Sequence, residues 1–335
     1  MSEKIRNISV IGDGGWGTTL AVHLCRNKHN VTLWGPFPDY VAEMQRSRYN
    51  TKFLPDIRLD ERITISNNLT KSIEQNELIV FAIPSQYTVS VLKNIKKTGV
   101  NLSKKIFVSV TKGIDTQRLV RMSEIVKEEL GNIPLAVLSG PTIALEVAKG
   151  IPSTAVVASR KPSITKEVQA VFNSTSFRIY TSTDIAGVEL GGSIKNIIAI
   201  ACGVCDGLNF GTNTKAAILT RGLAEMTRLG MALGAKQKTF SGLTGLGDLV
   251  TTCVSAKSRN RHVGEQLGRD KSFKSIMAGM EMVAEGAETV KAAYKLSKKL
   301  NVSMPITTEV YNIIYRNKKP LKAVSDLMKR DLKAE

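Results

Sequence analysis

The sequence predicts an N-terminal α/β domain over residues 1–183, followed by an all-helical domain over residues 184–335. Three observations lead to this prediction. Short apolar runs alternate with helix-like segments through the first half, a glycine-rich turn follows the first of these runs, and strand-like runs nearly vanish after Thr183. With 335 residues, of which 42% are hydrophobic and 23% charged, the chain is long enough for two domains and has the composition of a soluble globular protein.

Seven apolar runs in the first half have the length and composition of β-strands. They are Ile8–Ile11, Val31–Trp34, Glu77–Ile83, Ile106–Val110, Leu135–Leu138, Thr154–Ala158 and Phe177–Tyr180. Helix-like segments separate the earlier runs, namely Thr18–Asn27, Tyr40–Ser47, Ser85–Lys97 and Leu119–Leu130. Because strands that alternate with helices usually form parallel sheets with crossover helices, we expect one parallel sheet that contains all seven.

The second half has a helical pattern throughout. Its helix-like segments are Asp184–Val204, Lys215–Leu233, Gly264–Leu267, Ala287–Leu300 and Thr307–Arg316. The pattern changes near residues 181–190 without a low-complexity linker, so we expect the domain boundary there.

The glycine-rich turn is the motif with the clearest chemistry. Gly12, Gly14 and Gly17 form G-x-G-x-x-G between the first predicted strand and the first predicted helix. In that context the first glycine permits a tight turn, the second leaves room for a pyrophosphate, and the third lets the helix pack against the strand. The helix N-terminus also favours the anion. The motif therefore predicts a dinucleotide-binding domain of the Rossmann type, with an ordinary glycine-rich turn as the alternative.

The net charge of +18 has three candidate explanations: nucleic-acid binding, steering of an anionic substrate, or a merely soluble basic surface. Lys and Arg are spread along the chain and aromatic residues make up 5%, so we expect no nucleic-acid partner. The N-terminus has no apolar core of a signal peptide, and the longest strongly apolar stretch, Ile197–Val204, is too short to span a bilayer. We expect a cytoplasmic protein without membrane insertion.

Cysteine and histidine usage points away from metal chemistry. Four cysteines in a chain of this size are typical of a reducing compartment. Cys202 and Cys205 form a C-x-x-C, but no second cysteine pair or nearby histidine completes a metal site, so we interpret both as small core residues. The three histidines show no metal-ligand spacing, and no Ser-His-Asp arrangement is visible.

Lys195 is the most suggestive ionisable residue. From Ile185 to Val204 the only charged residues are Glu189 and Lys195, and the pair Gly191-Gly192 lies nearby. A lysine on a mostly buried helix is unfavourable unless it is paired or functional, and a desolvated lysine can serve as general acid or base. The alternative is a structural lysine at the helix edge whose amine reaches solvent.

Further polar segments follow predicted strands or glycine-rich turns. Lys112 follows the strand Ile106–Val110, and Ser139–Thr142 follows Leu135–Leu138, where ligands bind in open α/β sheets. Gly242–Asp248 is a glycine-rich loop that ends in an acid, and Ser258–Arg261 offers an Arg fork with Ser and Asn donors, a natural phosphate clamp. For each segment, an ordinary turn or a solvated basic surface is the alternative.

Short segments along nearly the whole chain carry a family resemblance. They are Gly12–Gly17, Leu33–Gly35, Phe53–Pro55, Val80–Pro84, Thr111–Gly113, Leu138–Thr142, Leu190–Asn196, Thr220–Glu225, Gly245–Asp248, Ser258–Arg261, Glu285–Gly286 and Met304–Ile306. In this order and spacing they resemble bacterial-type glycerol-3-phosphate dehydrogenase, an NAD(P)-dependent enzyme.

The resemblance implies a Rossmann domain and a helical domain like that of 6-phosphogluconate dehydrogenase. It implies interconversion of dihydroxyacetone phosphate and sn-glycerol 3-phosphate, with NAD or NADP as cofactor, a small phosphorylated substrate and a supply of precursor for glycerophospholipid synthesis. The direction of the reaction in the cell, any feedback inhibitor and the oligomeric state, a homodimer included, stay open.

The resemblance also implies roles for individual residues. Lys195 matches the proton-transfer lysine of the family. Positions that contact substrate are Lys112, Gly140, Thr142, Lys195, Asp248, Ser258, Arg259 and Asn260. Positions that contact cofactor, with the motif glycines Gly12, Gly14 and Gly17, are Gly15, Trp16, Lys112, Ala144, Arg259, Val283 and Glu285. Gly15 stands where many members have serine, and Pro36 where many have a polar or basic residue.

The sequence does not decide between NAD and NADP. NAD enzymes usually carry an acid about 20 residues after the glycine motif, where it binds the ribose. Here the second strand ends at Trp34, the first acid after it is Asp39, and no Arg is present for a 2′-phosphate. The net charge of +18 slightly favours the more anionic NADPH.

Two other functions stay open at this point. One is a related dehydrogenase of the 6-phosphogluconate or ketopantoate type. The other is a dinucleotide-binding regulator without catalysis, which would not need a buried Lys195 together with the phosphate clamp at Arg259.

Overall fold

The structure, a computed structural model, describes residues 5–280 and 284–332. The chain divides into two compact units. The first unit contains Met1–Lys112 and Arg121–Val188, and the second contains Gly113–Val120 and Glu189–Glu335.

The first unit is built on an eight-stranded sheet with the strand order β10-β9-β8-β7-β6-β1-β2-β5. A separate antiparallel pair is formed by β3 and β4. The strands are β1 (Asn7–Ile11), β2 (Asn30–Trp34), β3 (Tyr49–Asn50), β4 (Leu54–Arg58), β5 (Thr64–Ser66), β6 (Leu78–Phe81), β7 (Ile106–Ser109), β8 (Leu135–Ser139), β9 (Ser153–Ala158) and β10 (Phe177–Ser182).

Helices connect these strands. They are α1 (Gly15–Arg26), α2 (Pro38–Ser47), α3 (Leu69–Glu74), a 3₁₀ turn at Ser85–Tyr87, α4 (Thr88–Lys97), α5 (Met122–Leu130), α6 (Ala144–Ala148) and α7 (Pro162–Phe172). All four residues of β6 are buried, as expected for a central strand that is covered on both faces.

All seven predicted strands are present, and they belong to one sheet as predicted. The predicted parallel direction is wrong at one place, because β8 and β9 run antiparallel. The connection between them contains only α6, a helix of five residues. Such a helix is about 8 Å long, whereas a crossover would have to travel back along a strand of about 20 Å. The chain therefore enters β9 in the opposite direction.

From Glu189 onward, every secondary-structure element that the structure describes in the second unit is helical, as predicted. The segment Gly113–Val120, which also belongs to this unit, is not helical. It contains most of α8 (Ile185–Gly207), then α9 (Thr212–Ala232), α10 (Gln237–Phe240), a π-helical turn at Leu243–Gly247, α11 (Asp248–Val254), α12 (Arg259–Gly268), α13 (Phe273–Ala278), α14 (Glu285–Lys299), α15 (Pro305–Arg316) and α16 (Pro320–Met328).

Helix α8 is the core helix of this unit. Every residue from Gly187 to Cys205 is buried. The helix is longer than the apolar stretch expected from the sequence, and by length and composition it could cross a membrane. Its most apolar window is, however, 100% buried inside the fold. Glycines allow the helix to pack closely against α12. A Cβ at Gly203 would collide with the carbonyl oxygen of Arg261, and a Cβ at Gly264 would collide with the carbonyl oxygen of Ile200.

Glu225 ties α9 to the start of α15. Its buried carboxylate accepts hydrogen bonds from the N–H groups of Ile306 (2.6 Å) and Thr307 (3.1 Å) and from the Thr307 hydroxyl (2.9 Å). These bonds satisfy free N–H groups at the helix N-terminus. Burial nevertheless raises the pKa of Glu225 above its ordinary value, and the three hydrogen bonds act against that rise.

Candidate active site

The glycine-rich turn between β1 and α1 has little room except at one position. Gly12 adopts φ +118°, and a Cβ there would stand 2.5 Å from the carbonyl oxygen of Ala82. A Cβ at Gly17 would collide with the carbonyl oxygen of Gly12. Gly14, the N-cap of α1, has φ −65°, and a Cβ there would meet no atom within 4 Å. Gly12 and Gly17 are thus required by the fold, whereas Gly14 leaves open space at the helix start.

This open space lies at a helix N-terminus, a position that favours an anion such as a pyrophosphate. Helix α1 has 12 residues and no acidic residue in its first turn, so its free N–H groups and its dipole favour an anion. The indole Nε1 of Trp16 is a buried donor without a partner among the described residues. A Cβ at Gly15 would stand 2.9 Å from the carbonyl oxygen of Phe53, so the serine of many family members would require a backbone shift here.

An acidic side chain, Asp13, also belongs to this turn. Its carboxylate lies against Gly35, directly after β2, where a Cβ would collide with Oδ2. Burial raises the pKa of Asp13 to about 6, and its own backbone N–H and the charge of Lys52 act against that rise by less. The sequence did not reveal this residue, because an acid that binds the ribose is ordinarily expected after the second strand, and Asp13 precedes that strand.

Lys112, Gly140 and Thr142 meet where β7 and β8 end. The carbonyl oxygen of Gly140 accepts hydrogen bonds from Lys112 Nζ and from Thr142 Oγ1, both at 3.2 Å. Gly140 has φ +154°, and a Cβ would stand 2.9 Å from the Cα of Ala155, so the position requires glycine.

Ala144, two residues after Thr142, begins α6. Its carbonyl oxygen accepts a hydrogen bond from the Thr19 hydroxyl at 3.1 Å.

Lys195 lies inside the second unit and is paired. The residue is 5% exposed, and its Nζ donates to Oδ1 of Asp248, itself 1% exposed. Nζ also donates to Oγ1 of Thr252 at 2.7 Å, and that hydroxyl donates to the carbonyl oxygen of Asp248 at 2.6 Å. The amine is buried in a polar cluster, which rules out the interpretation of a lysine that reaches solvent.

The glycine pair beside Lys195 explains how this cluster forms. A Cβ at Gly191 would collide with the carbonyl oxygen of Thr244, so α8 touches the backbone of the π-helical turn. Four residues further along each segment, Lys195 meets Asp248. Thr252 was not found from the sequence, because the short helix α11 carries no clear apolar periodicity; the signal that was present is its i+4 spacing from Asp248.

Ser258, Arg259 and Asn260 form the start of α12. Ser258 is the N-cap, and its hydroxyl accepts a hydrogen bond from the N–H of Arg261 at 3.2 Å. Arg259 is exposed, and Asn260 is buried with its Oδ1 accepting from the N–H of Gly286 at 3.0 Å. The Nε of Arg261 donates to Asp206 at 2.6 Å.

The remaining predicted positions have simpler surroundings. Glu285 is the first residue of α14, and Val283 lies outside the described residues. Cys202 and Cys205 are buried core residues, and burial raises the pKa of the Cys205 thiol to about 12. Within residues 5–280 and 284–332, no group of three His, Cys, Asp or Glu side chains could hold a metal ion.

Two groups of predicted residues therefore stand on the two units. The first unit carries the glycine turn with Lys112, Gly140, Thr142 and Ala144. The second unit carries Lys195 with Asp248, and the start of α12. The first group has a helix N-terminus that favours an anion, and the second combines a buried, paired amine with another such helix N-terminus.

Family models match most of the chain. Residues 7–165 match the N-terminus, and residues 184–325 the C-terminus, of NAD-dependent glycerol-3-phosphate dehydrogenase. A Syntrophotalea carbinolica protein named glycerol-3-phosphate dehydrogenase, NAD(P)+, is 48% identical over 333 residues, which cover 98% of this chain and 99% of that protein. A Citrifermentans bemidjiense protein of the same name is 47% identical over 338 residues, covering 100% of this chain and 99% of the relative.

A solved structure is similar over nearly its full length. The crystal structure of glycerol-3-phosphate dehydrogenase from Coxiella burnetii superimposes with a TM-score of 0.94 at 37% sequence identity. The match covers 97% of this chain and 99% of that one.

Proposed function

The chain belongs to the NAD-dependent glycerol-3-phosphate dehydrogenase family, and on that premise we propose that it reversibly reduces dihydroxyacetone phosphate to sn-glycerol 3-phosphate with NADH or NADPH. The observation that carries the proposal is the buried pair of Lys195 and Asp248. Burying two charges is unfavourable unless they are well paired, so such a pair needs a reason beyond stability. A dinucleotide-binding regulator without catalysis has no use for it.

Lys195 is the general acid and base of this proposal. Nζ donates a proton to the carbonyl oxygen of the substrate as negative charge develops there, and takes the proton back from the hydroxyl in the reverse direction. Bound NAD(P)H supplies the hydride. Asp248 stabilises the ammonium form and Thr252 fixes its direction, because both contact Nζ in the structure.

The substrate phosphate is assigned to the start of α12. Ser258, Arg259 and Asn260 occupy its first positions, and a helix of 10 residues without acid in its first turn favours an anion. The planar guanidinium of Arg259 can hold two phosphate oxygens at once. Lys112, Gly140, Thr142 and Asp248 complete the proposed substrate-binding residues.

The cofactor is assigned to the glycine turn and nearby positions. The proposed residues are Gly12, Gly14, Gly15, Trp16, Gly17, Lys112, Ala144, Arg259, Val283 and Glu285. The open space at Gly14 and the unpartnered donor of Trp16 support the placement of the pyrophosphate at the start of α1.

We propose that residues 1–183 form the dinucleotide-binding domain and that residues 184–335 form the helical domain for substrate binding and catalysis. The family models, which meet between residues 165 and 184, support this division. We further propose a cytoplasmic enzyme without membrane insertion and with no nucleic-acid partner. Four free buried cysteines suit a reducing compartment, and the apolar helix α8 is buried inside the fold.

Oxidation of NADH and NADPH by the purified protein tests the proposed function. Dihydroxyacetone phosphate should drive rapid oxidation of at least one reduced cofactor, whereas ketopantoate should not. In the oxidative direction, sn-glycerol 3-phosphate should reduce NAD or NADP, and 6-phosphogluconate should not. Turnover with ketopantoate or 6-phosphogluconate alone would assign the chain to another reaction.

A further inference from the structure

The residues after β2 lack the acid on which the choice of dinucleotide usually depends. In Rossmann domains that bind NAD, a carboxylate near this place accepts a hydrogen bond from the ribose 2′-hydroxyl. Here β2 ends at Trp34 and is followed by Gly35 and Pro36. Asp39, the next acid in the sequence, is exposed in the first turn of α2.

A carboxylate nevertheless reaches the end of β2 from the glycine turn. The N–H of Gly12 donates to the carbonyl oxygen of Trp34 at 3.0 Å, so the turn and the strand end lie side by side. A Cβ at Gly35 would collide with Oδ2 of Asp13 and would stand 2.7 Å from its Cγ. The carboxylate of Asp13 therefore fills the space that a side chain at position 35 would occupy.

This carboxylate is buried without a full set of hydrogen bonds. Asp13 is 7% exposed, and its Oδ2 has no partner within the part of the chain that the structure describes. The nearby donors Asn50 Nδ2 and Thr18 Oγ1 instead bond the backbone carbonyl oxygen of Asp13, at 2.6 and 3.1 Å. A buried acceptor left in this state is unfavourable, and a hydroxyl from a ligand would relieve it.

The charge of Asp13 is present under ordinary assay conditions. The pKa of its carboxyl, raised by burial to about 6, still leaves the group mostly ionised above pH 7. An ionised carboxylate accepts hydrogen bonds from hydroxyl groups and repels a phosphate at the same place.

We propose that Asp13 sets the dinucleotide preference of this protein, by accepting a hydrogen bond from the adenosine ribose of NAD(H) and by repelling the 2′-phosphate of NADP(H). Asp13 thus takes the place of the missing acid after β2. The inference rests on the proposed function only in that both require a dinucleotide. It reverses the slight preference for NADPH expected from net charge, because a fixed contact discriminates more strongly than a long-range field.

Titration calorimetry with ADP-ribose and with 2′-phospho-ADP-ribose tests the proposal by binding alone. Asp13→Asn keeps the shape of the side chain and removes its charge, and Asp39→Asn is the matched control. The wild type should bind ADP-ribose more tightly. Asp13→Asn should change the ratio of the two affinities by about tenfold or more in favour of the phosphorylated ligand, the size expected for one charged hydrogen bond. Asp39→Asn should leave the ratio unchanged.

Three results would overturn the proposal. If the ratio of the two affinities is unchanged in Asp13→Asn, Asp13 does not determine the dinucleotide preference. If the ratio changes only in Asp39→Asn, Asp39 determines that preference instead. A wild-type preference for 2′-phospho-ADP-ribose that disappears in Lys52→Gln would assign the choice to Lys52. If Asp13→Asn folds poorly, Asp13→Ala, which deletes the carboxylate altogether, replaces it in this test. Asp13→Ala must then shift the ratio of affinities toward 2′-phospho-ADP-ribose.

Kinetics provide the second readout. The ratio of kcat/KM for NADPH to that for NADH should rise in Asp13→Asn by a factor similar to the change in affinities. Because calorimetry needs no substrate, the two proposals can fail separately. Selective binding of ADP-ribose without turnover of dihydroxyacetone phosphate would refute the proposed function and leave the role of Asp13 intact.

Discussion

The ammonium of Lys195 donates a hydrogen bond to the carboxylate of Asp248, and both side chains are almost completely withdrawn from solvent. Neither charge would be stable there alone. The pair is therefore a unit, and the consequences of breaking it differ for stability and for catalysis.

Removal of one member of the pair should destabilise the fold. Lys195→Met leaves the Asp248 charge buried without the ammonium, so we expect a loss of about 3 kcal/mol or more, measured by denaturant unfolding. Lys195→Met combined with Asp248→Asn should recover part of this loss, and a double variant no more stable than the single one would contradict the account. Lys215→Met is the control, because Lys215 pairs with Asp206 near the surface, where such pairs contribute about 1 kcal/mol or less.

Replacement of Arg259 should weaken binding of the phosphorylated substrate. Arg259→Lys keeps the charge but loses the planar fork, so KM for dihydroxyacetone phosphate should rise by about tenfold or more. Arg261→Lys, two residues away, should have little effect on KM, since Arg261 is directed at Asp206. Equal KM values in the wild type and Arg259→Lys would show that the phosphate lies elsewhere.

A side chain at Gly14 should abolish cofactor binding without harm to the fold. The backbone there suits any residue, and no atom lies within 4 Å of a Cβ, so Gly14→Val should melt near the wild-type temperature yet bind no NADH or NADPH in a fluorescence titration. Gly211→Val is a matched control, since Gly211 is also a helix N-cap with φ −81° and open space. Retained cofactor binding in Gly14→Val would displace the pyrophosphate from the start of α1.

Asp13 should make stability depend on pH. Its pKa in the folded protein is about 6, against an ordinary value of 3.8, so the folded state holds more protons than the unfolded state between these values. The free energy of unfolding therefore falls as pH rises from 4 to 6, by up to about 3 kcal/mol from this group. Relative to the wild type, Asp13→Asn should gain stability at pH 7 and little at pH 4. A pH-independent difference between the two would contradict the assigned burial of the charge.

Apolar patterning was sufficient to predict the frame of the fold. The runs at Ile8–Ile11 and Ile106–Val110 become β1 and β7, and the change of pattern after Thr183 coincides with the start of α8 at Ile185. The strands β3, β4 and β5 and the helices α3, α7, α10, α11, α13 and α16 were not predicted from the sequence. All of these except α7, with 11 residues, and α16, with 9, have seven residues or fewer and no clear periodicity. The antiparallel entry into β9 depends on the length of α6, which apolar patterning does not reveal.

Some residues of the candidate site can be predicted from local sequence, and others cannot. The glycine motif, Lys195 and the Ser258–Arg261 segment could be selected from local sequence, because each has a residue pattern with its own chemistry. The contact of Asp13 with Gly35 and the bond from Thr252 to Lys195 could not, since each depends on the packing of segments that are separate in the sequence. The ion pair of Arg261 with Asp206 also depends on such packing, so the sequence alone does not distinguish the surroundings of Arg261 from those of Arg259.

The most direct test of proton transfer by Lys195 is kcat for the reduction of dihydroxyacetone phosphate by Lys195→Met and Lys195→Arg. Arginine keeps a positive charge opposite Asp248 but does not release a proton, so this variant separates acid–base chemistry from the stability of the pair. Both variants should lose at least about 10²-fold in kcat and keep nearly normal affinity for the reduced cofactor, measured by fluorescence titration. Near-normal turnover in either variant would contradict the assignment of Lys195 as general acid and base.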